Sequence, residues 1–352
     1  MPDMRYATLG HTGVKVSRFC LGAMMFGKGF NGDHDDCVRI IHAALDAGIN
    51  FIDTADGYTW GESEQIVGKA LRGRRSDVVL ATKYYFPRPL REGSPDPNRQ
   101  GGSRRWILQS IEESLQRLQT DHVDLYQQHR FDANTAPEES LSALSDLVHA
   151  GKIHYLGSSS WPVERIVEAQ WAAQRWGLEQ FRCEQAPYSL FRRGIERAVL
   201  PTCRRYGMGM ITYSPLDGGW LTGRYRQASD FTPDTRVVRM GARWGGFDAA
   251  DAVNRRKLEL VAALAKLADE AGLPLAHLAT AWAMEHPDVT SVIIGPRTMP
   301  QFLDSLAAAE VRLDADLLDR IDELGAAGSD VNPFDQTALP AELDASYRRR
   351  RP

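Results

Sequence analysis

Four polar side chains near the ends of apolar runs could together assist the reduction of a carbonyl group by a hydride donor. Asp53, Lys83 and His129 each close an apolar run typical of a strand, and Tyr58 follows soon after Asp53. Carbonyl reduction needs a hydride and a proton, and a free tyrosine with a pKa of about 10 is a poor acid near neutrality. A neighbouring ammonium favours the phenolate and lowers that pKa. We therefore expect Tyr58 to donate the proton and Lys83 to lower its pKa.

The other two residues have supporting roles in this interpretation. Asp53 would keep Lys83 charged and in place, and His129 would hydrogen-bond and orient the substrate carbonyl. Each residue alone also fits a structural role, as a cap, a solvated cation or a satisfied polar group. The joint spacing favours catalysis, provided that the fold brings the strand ends together.

Short apolar runs alternate with longer amphipathic segments along the chain. The predicted strands are residues 19–21, 50–53, 78–82, 123–129, 153–157, 181–184, 208–212 and 292–294. The predicted helices are residues 35–47, 62–71, 103–118, 137–150, 162–176, 195–206, 255–285 with a break at 272–274, 300–309 and 315–324. Strands alternating with helices pair in parallel. Eight such units predict a (β/α)8 TIM barrel whose strand ends share one mouth, with an open α/β sheet as the alternative.

The composition excludes several classes of protein. The 352 residues are 43% hydrophobic and 25% charged, as in a soluble globular protein. A net charge of −4 gives no overall attraction to nucleic acid or to an anionic membrane. We expect no signal peptide and no membrane span. Cys20, Cys37, Cys183 and Cys203 are scattered without a CxxC pair, which predicts a cytoplasmic enzyme without disulfides or a metal.

Two segments rich in glycine and proline interrupt the alternation. Residues 87–102 and 217–251 each follow a predicted strand, so they should form long loops on the C-terminal face of the barrel. Residues 1–325 are predicted to form a single domain. Residues 326–352 are predicted to be a frayed, solvated tail.

A glycine pattern near the N-terminus suggests a competing fold. Gly27, Gly29 and Gly32 match GxGxxG, and Asp53 follows at the spacing of a Rossmann dinucleotide fingerprint. A polar stretch, residues 33–36, separates these glycines from the apolar helix face, so they need not open the helix. A structural loop is the better interpretation, and a Rossmann dehydrogenase is kept as an alternative.

Further motifs accompany the four polar residues. They are residues 5–17, which suit an N-terminal β-hairpin, residues 53–58 with 61–64, residues 151–159, and residues 213–216 with 221–223. Over about residues 5–325 the chain resembles the aldo-keto reductase superfamily, in the branch of bacterial reductases that is also similar to potassium-channel β-subunits. The resemblance implies a barrel plugged by the hairpin. It also implies reversible, NADPH-dependent reduction of an aldehyde or ketone by Asp53, Tyr58, Lys83 and His129.

The resemblance also implies where the cofactor lies, extended across the barrel mouth. The implied contacts run from nicotinamide to adenine: Ser159, Ser160 and Gln185 on the carboxamide, Tyr213 stacked on the ring, Ser214, Leu216, Gly218, Leu221, Gly223 and Arg224 around the pyrophosphate, and Gly295, Arg297, Gln301, Asp304 and Ser305 at the adenosine end. Arg297 could pair with a 2′-phosphate, which favours NADPH while leaving NADH possible. Ser160 departs from the usual Asn, and Asp304 and Ser305 depart from the usual Glu and Asn.

The substrate is expected to be a small carbonyl compound with apolar substituents. The predicted pocket residues are Met25, Trp60, Tyr84, Phe86, Trp161 and Trp220, which could equally pack between loops. A non-enzymatic, NADPH-sensing regulatory subunit is the alternative function, because the resemblance includes channel β-subunits. Neither nucleic acid nor membrane is an expected partner, and a homo-oligomer is compatible with the sequence.

Overall fold

Eight parallel strands close into a barrel, surrounded by helices. The computed structural model describes residues 4–88, 96–232, 235–239, 247–248 and 250–332. The strands are β1 (Tyr6–Thr8), β2 (Lys15–Ser17), β3 (Phe19–Gly22), β4 (Phe51–Asp53), β5 (Val79–Tyr84), β6 (Val123–Gln128), β7 (Ile153–Ser159), β8 (Phe181–Pro187), β9 (Gly209–Tyr213) and β10 (Ser291–Ile294). Strands β3 to β10 follow one another around the barrel, and β10 closes it on β3. The predicted TIM barrel is confirmed, and the open sheet is excluded.

The helices follow the strands in turn. They are α1 (His34–Asp46), α2 (Glu62–Ala70), α3 (Arg104–Leu118), α4 (Pro137–His149), α5 (Val163–Trp176), α6 (Val199–Tyr206), α7 (Arg236–Arg239), α8 (Ala252–Glu270), α9 (Leu275–Glu285), α10 (Met299–Ala307) and α11 (Ala315–Leu324). Within the described parts of the chain, no helix combines the length and apolar character needed to cross a bilayer.

Local sequence determines several helix boundaries. The Asp33 side chain accepts the first backbone amides of α1, and Ser103 does the same for α3. The helix predicted over 195–206 instead divides into a 3₁₀ turn, Gly194–Glu196, and α6. A helix begun at 195 would hold Pro201 in its interior, whereas in α6 that proline falls in the first turn, where its missing N–H has no intrahelical role.

The N-terminal hairpin seals the barrel at the end opposite the C-terminal strand ends. Strands β1 and β2 pair antiparallel, with Ala7 opposite Val16. Leu9 and Val16 pack with residues inside the barrel, which are Cys20, Phe51, Ala81, Leu125, Cys183 and Ile211. The predicted hairpin plug is therefore present, and a larger core fills the space between strands and helices.

The GxGxxG segment is a structural loop. Phe26 and Asn31 form a bridge, and Gly27 at φ 110° makes the tight turn between them. Asp33, and not a glycine, caps α1, so the segment lacks the glycine-opened helix of a Rossmann fingerprint. With the closed barrel, this excludes the Rossmann dehydrogenase.

The two predicted long loops and the tail are described only in part. Residues 89–95, 233–234, 240–246, 249 and 333–352 lie outside the described residues. The expectation of a frayed end beyond 325 is wrong for residues 326–332, since Asp330 accepts the Gly194 amide at 2.8 Å and Val331 donates to the Phe191 carbonyl at 2.9 Å. These bonds hold the segment against the loop after β8.

Candidate active site

Neighbouring strands bring the four polar residues predicted from sequence to one end of the barrel. Asp53 ends β4, Lys83 lies near the end of β5, and His129 directly follows β6. Tyr58 begins a 3₁₀ turn in the loop after β4. Because these strands are parallel and adjacent, their C-terminal ends share the barrel mouth.

The Lys83 ammonium is the centre of this cluster. It is fully buried and pairs with the Asp53 carboxylate. It also donates to the Thr54 carbonyl at 3.0 Å and lies 3.2 Å from the Tyr58 hydroxyl. These three contacts use all three donors of an ammonium group. A buried cation satisfied in this way is held rigidly against the phenol.

A second set of contacts fixes the carboxylate. Oδ2 of Asp53 accepts the side-chain amides of Gln127 at 3.1 Å and Gln185 at 2.9 Å. The sequence reasoning missed Gln127 and assigned Gln185 only to the cofactor. The available signal was the strand period of two, because Gln127 lies two residues after Leu125, which points into the barrel.

Burial and charge oppose each other at the phenol and the ammonium. Burial raises the pKa of Tyr58, and the neighbouring Lys83 ammonium offsets this only in part. Lys83 acts in the expected direction and lowers the pKa of Tyr58, but burial was not considered in that expectation. The net pKa is raised because removing a phenolate from water costs more free energy than the nearby cation offsets. For Lys83, burial acts to lower the pKa, but Asp53 and Tyr58 together raise it.

His129 is a neutral imidazole beside the phenol. Its ring centroid lies 5.8 Å from that of Tyr58 in an edge-on arrangement, and 4.8 Å from that of Phe86. Burial lowers the pKa of His129 well below its usual value, and the charges of Lys83 and Arg130 act in the same direction. Its buried Nδ1 has no hydrogen-bond partner among the described residues. A neutral ring has one N–H to donate to a bound oxygen.

The loop carrying Tyr58 holds an unusual backbone. Thr59 and Trp60 both have left-handed dihedrals, with φ of 45° and 60°. The Thr59 hydroxyl anchors the turn, donating to the Phe26 carbonyl at 3.0 Å and accepting the Ser63 amide at 3.0 Å. Consecutive left-handed residues other than glycine cost energy and persist only where their surroundings impose them, as they do at functional sites.

Several residues predicted to hold the nicotinamide lie together beside this cluster. Ser159 and Ser160 are buried at the end of β7, and the Ser160 amide donates to the Gln185 carbonyl at 2.8 Å. The Ser160 hydroxyl lies 3.1 Å from that of Tyr213. Ser160 and Ser214 both have positive φ, 57° and 59°. Buried hydroxyls and amides beside the phenol fit the polar edge of a nicotinamide.

The residues expected at the phosphates and adenine follow β9 and β10. Gly218 and Gly295 have open space where a side chain would begin, which permits close approach of a ligand to the backbone. The loop also carries Leu216, buried Leu221, Gly223 and exposed Arg224. These positions fit an extended anionic group.

The predicted adenosine end is built around Arg297. Its amide donates to Gln301 Oε1 at 2.9 Å, and its carbonyl accepts from Asn31 at 2.8 Å, so the backbone is fixed while the side chain is half-buried. Asp304 is exposed and pairs with His277 at 3.0 Å. Ser305 is half-buried on α10.

The predicted pocket residues do not form one group. Phe86 contacts His129, and Trp60 is 72% exposed. Met25, Tyr84, Trp161 and Trp220 are buried. The Tyr84 ring packs against Tyr126, and Trp161 lies between Phe131 and Phe181. Trp220 packs among the rings of Phe191, Tyr225, Phe231 and Phe247. Packing between structural elements, the alternative left open by the sequence, describes these buried contacts.

Glu184 was missed by the sequence reasoning. It is fully buried on β8, where it accepts the Ser158 hydroxyl and the Trp161 amide, the latter at 3.2 Å. Burial raises the pKa of Glu184 to about 8. The carboxyl thus ties together the turn that holds Ser159 and Ser160. The available signal was a glutamate next to the apolar Cys183 in a predicted strand.

Comparison with known proteins agrees with this geometry. Residues 18–326 match the model of the aldo/keto reductase family. A Bacillus subtilis (strain 168) protein named uncharacterized oxidoreductase YrpG is 38% identical, over 91% of this chain and 96% of that protein. An Arabidopsis thaliana protein named probable voltage-gated potassium channel subunit beta is 35% identical, and the versiconal hemiacetal acetate reductase of Aspergillus parasiticus is 34% identical. Each of these matches covers 91% of this chain and 96% of the relative.

Proposed function

The chain belongs to the aldo/keto reductase family, and relatives of it are named an oxidoreductase and a reductase; on that premise we propose that it reduces an aldehyde or ketone with NADPH, using Tyr58 as the proton donor. The observation that carries this proposal is the contact of 3.2 Å between the Tyr58 hydroxyl and the buried Lys83 ammonium. A phenol held against a buried cation can release its proton to a developing alkoxide, because the cation stabilises the phenolate that remains.

The other side chains prepare this proton transfer. Asp53 neutralises Lys83, and Gln127 and Gln185 hold the carboxylate in place. His129 is neutral and beside the phenol, so its N–H can hydrogen-bond the substrate oxygen without competing to protonate it. Tyr58 itself remains protonated at neutral pH, since its pKa is raised.

A nicotinamide dinucleotide, when bound, supplies the hydride. Ser159, Ser160 and Gln185 would hold its carboxamide, and Tyr213 would lie against its ring. The loop of Ser214, Gly218 and Gly223 would follow the pyrophosphate, and Arg297 would pair with the 2′-phosphate of NADPH. The buried hydroxyls and the open glycine positions support this arrangement.

Replacing Tyr58 by Phe tests the proposal. NADPH oxidation is measured with a panel of aldehydes, ketones and quinones, together with NADPH binding by fluorescence. We expect Tyr58→Phe to lower kcat by about 10²–10⁴-fold, since the proton donor is lost, while NADPH binding is retained. Tyr206→Phe is the matched control, because Tyr206 ends α6 next to the floor of the barrel, where the Gly207 carbonyl accepts from His11.

The other outcomes are equally informative. Full activity in Tyr58→Phe would remove that residue from the proposed mechanism. Tight NADPH binding by the unchanged protein, without turnover of any carbonyl, would favour the regulatory alternative suggested by the name of the Arabidopsis relative. The regulatory alternative would also require that a stable partner protein be recovered together with the chain.

A further inference from the structure

A cluster of metal-ligand side chains lies on β6 and β7, away from the C-terminal strand ends. His122 directly precedes β6, Asp124 is its second residue, and His154 is the second residue of β7. Each residue offers one ligand atom, and these atoms all lie within 4.8 Å of one another. The two imidazole rings stack with centroids 4.7 Å apart. Parallel pairing of β6 with β7 therefore brings together residues that are far apart in sequence.

The carboxylate of this cluster is already oriented. Oδ2 of Asp124 accepts Arg75 and the Leu80 amide, both at 2.8 Å. Its other oxygen, Oδ1, lies 3.3 Å from Nδ1 of His154. The Arg75 contact leaves this oxygen facing His154. Arg75 also reduces the negative charge of the site, so the two imidazoles must supply much of the affinity.

One histidine has an additional partner of the kind that accompanies metal sites. Oδ1 of Asp121 lies 2.7 Å from Nδ1 of His122. Histidines that bind a metal usually use their second ring nitrogen to hydrogen-bond a carboxylate, which orients the ring and raises its basicity. Asp121 is well placed for this role.

The required rearrangement is small. Two donors on one tetrahedral Zn²⁺ lie about 3.4 Å apart, because each bond is about 2.1 Å long. The present spacing, which is within 4.8 Å, must therefore close by at most about 1.4 Å. His154 is exposed and His122 half-buried, so both rings have room to move. His122 and Asp124 line a surface depression of about 470 Å³ next to Arg75.

We propose that His122, Asp124 and His154 form a binding site for one Zn²⁺-like transition-metal ion, clamping β6 to β7. Two imidazoles and one carboxylate match the ligand set that Zn²⁺ accepts, with water completing the coordination. The proposal departs from the sequence expectation of no metal, which rested on cysteine spacing alone. The four cysteines are buried and their thiol pKa values are raised, so they compete poorly for the ion.

The test uses the full chain after treatment with a chelator, with Zn²⁺ as the probe. Calorimetric titration should show one Zn²⁺ per chain in the wild type. His122→Gln and His154→Gln should each weaken binding by at least about tenfold, because an amide is a poor substitute for imidazole. His149→Gln is the matched control, an exposed histidine of α4 outside the cluster, and it should bind as the wild type does.

A second measurement reports the geometry. Co²⁺ in place of Zn²⁺ should give the intense visible absorption of a tetrahedral site in the wild type, which His154→Gln should lose. Zn²⁺ should also raise the Tm of the wild type and of His149→Gln, but not of His154→Gln, because a ligand of the folded state stabilises it. Equal Zn²⁺ binding by the wild type and His154→Gln, or no binding by the wild type, would overturn the proposal. None of these readouts depends on reductase activity.

Discussion

The four central side chains show how burial and neighbouring charges together determine protonation. Lys83 stays charged in a buried position because Asp53, Thr54 and Tyr58 occupy its three donors. His129, equally buried but beside cations, is neutral instead. The result is a neutral acid, a fixed cation and a neutral hydrogen-bond donor within one small volume. These are the protonation states that carbonyl reduction requires at neutral pH.

Glu184 should make the stability of the protein depend on pH. Its pKa rises from 4.5 in the unfolded chain to about 8 in the fold because of burial. Between these pH values the folded state binds a proton that the unfolded chain has lost. The free energy of unfolding should therefore fall as the pH rises through this window, with a slope of up to about 1.4 kcal/mol per pH unit.

Glu184→Gln isolates this effect. The amide cannot ionise, and its oxygen can still accept the Trp161 amide, while the Ser158 hydroxyl can turn to accept from the amide nitrogen. Urea unfolding at several pH values should show that the variant loses part of the pH dependence. Asp56, whose pKa is also raised by burial, to about 7, is present in both proteins and cancels in the difference. Parallel curves for the two proteins would contradict the prediction.

At the level of elements, the hairpin depends on a close approach between backbones. Gly10 has φ of 53°, and a side chain there would collide with the backbone of Gly207 and of Gly209, the first residue of β9. Gly13, in the same hairpin, also has positive φ, 81°, but open space around it. The two glycines therefore separate the cost of a left-handed backbone from the cost of a collision.

We expect Gly13→Ala to lower the free energy of unfolding by about 1 kcal/mol, the cost of the left-handed conformation. Gly10→Ala should lower it by a further ~1–3 kcal/mol, because the backbone must move apart. Urea unfolding of both variants measures the difference. Since the floor lies at the opposite end from the mouth, KM for cofactor and substrate should not change. An equal loss of unfolding free energy in the two variants would mean that the hairpin moves away from β9 at no cost.

Elements with strong local signals were predictable from sequence, whereas burial and contacts between residues far apart in the sequence were not. The barrel followed from the alternation of eight apolar runs with amphipathic segments, and side chains such as Asp33 fix where individual helices begin. Tyr58 and Lys83 were identified because strand ends converge in any such barrel. The raised pKa of Tyr58 could not be predicted, because it depends on how completely the site excludes water. The partnership of Gln127 with Asp53 likewise exists only across the barrel interior.

For the molecule as a whole, charge distribution matters more than net charge. The chain carries a net charge of −4, which opposes the approach of a polyanion such as NADPH. Under the proposed function, NADPH binding would then depend on local cations at the mouth. The Arg297 guanidinium makes no ion pair within the part of the chain that the structure describes, and its backbone is held by Gln301 and Asn31. A cation on a fixed backbone, with no carboxylate partner among the described residues, suits a phosphate group.

Arg297→Gln should therefore weaken NADPH binding about tenfold or more, because a charge-assisted hydrogen bond contributes a binding free energy of that size. NADH, which lacks the 2′-phosphate, should bind the variant and the wild type alike. Arg205→Gln removes the same charge from an exposed position in the last turn of α6 and should leave both affinities unchanged. Fluorescence titration at low and high ionic strength measures all three proteins, and salt should weaken NADPH binding to the wild type more than to Arg297→Gln. If Arg205→Gln weakened NADPH binding as much as Arg297→Gln, the overall field of the protein would be responsible, and a specific phosphate site at Arg297 would be ruled out.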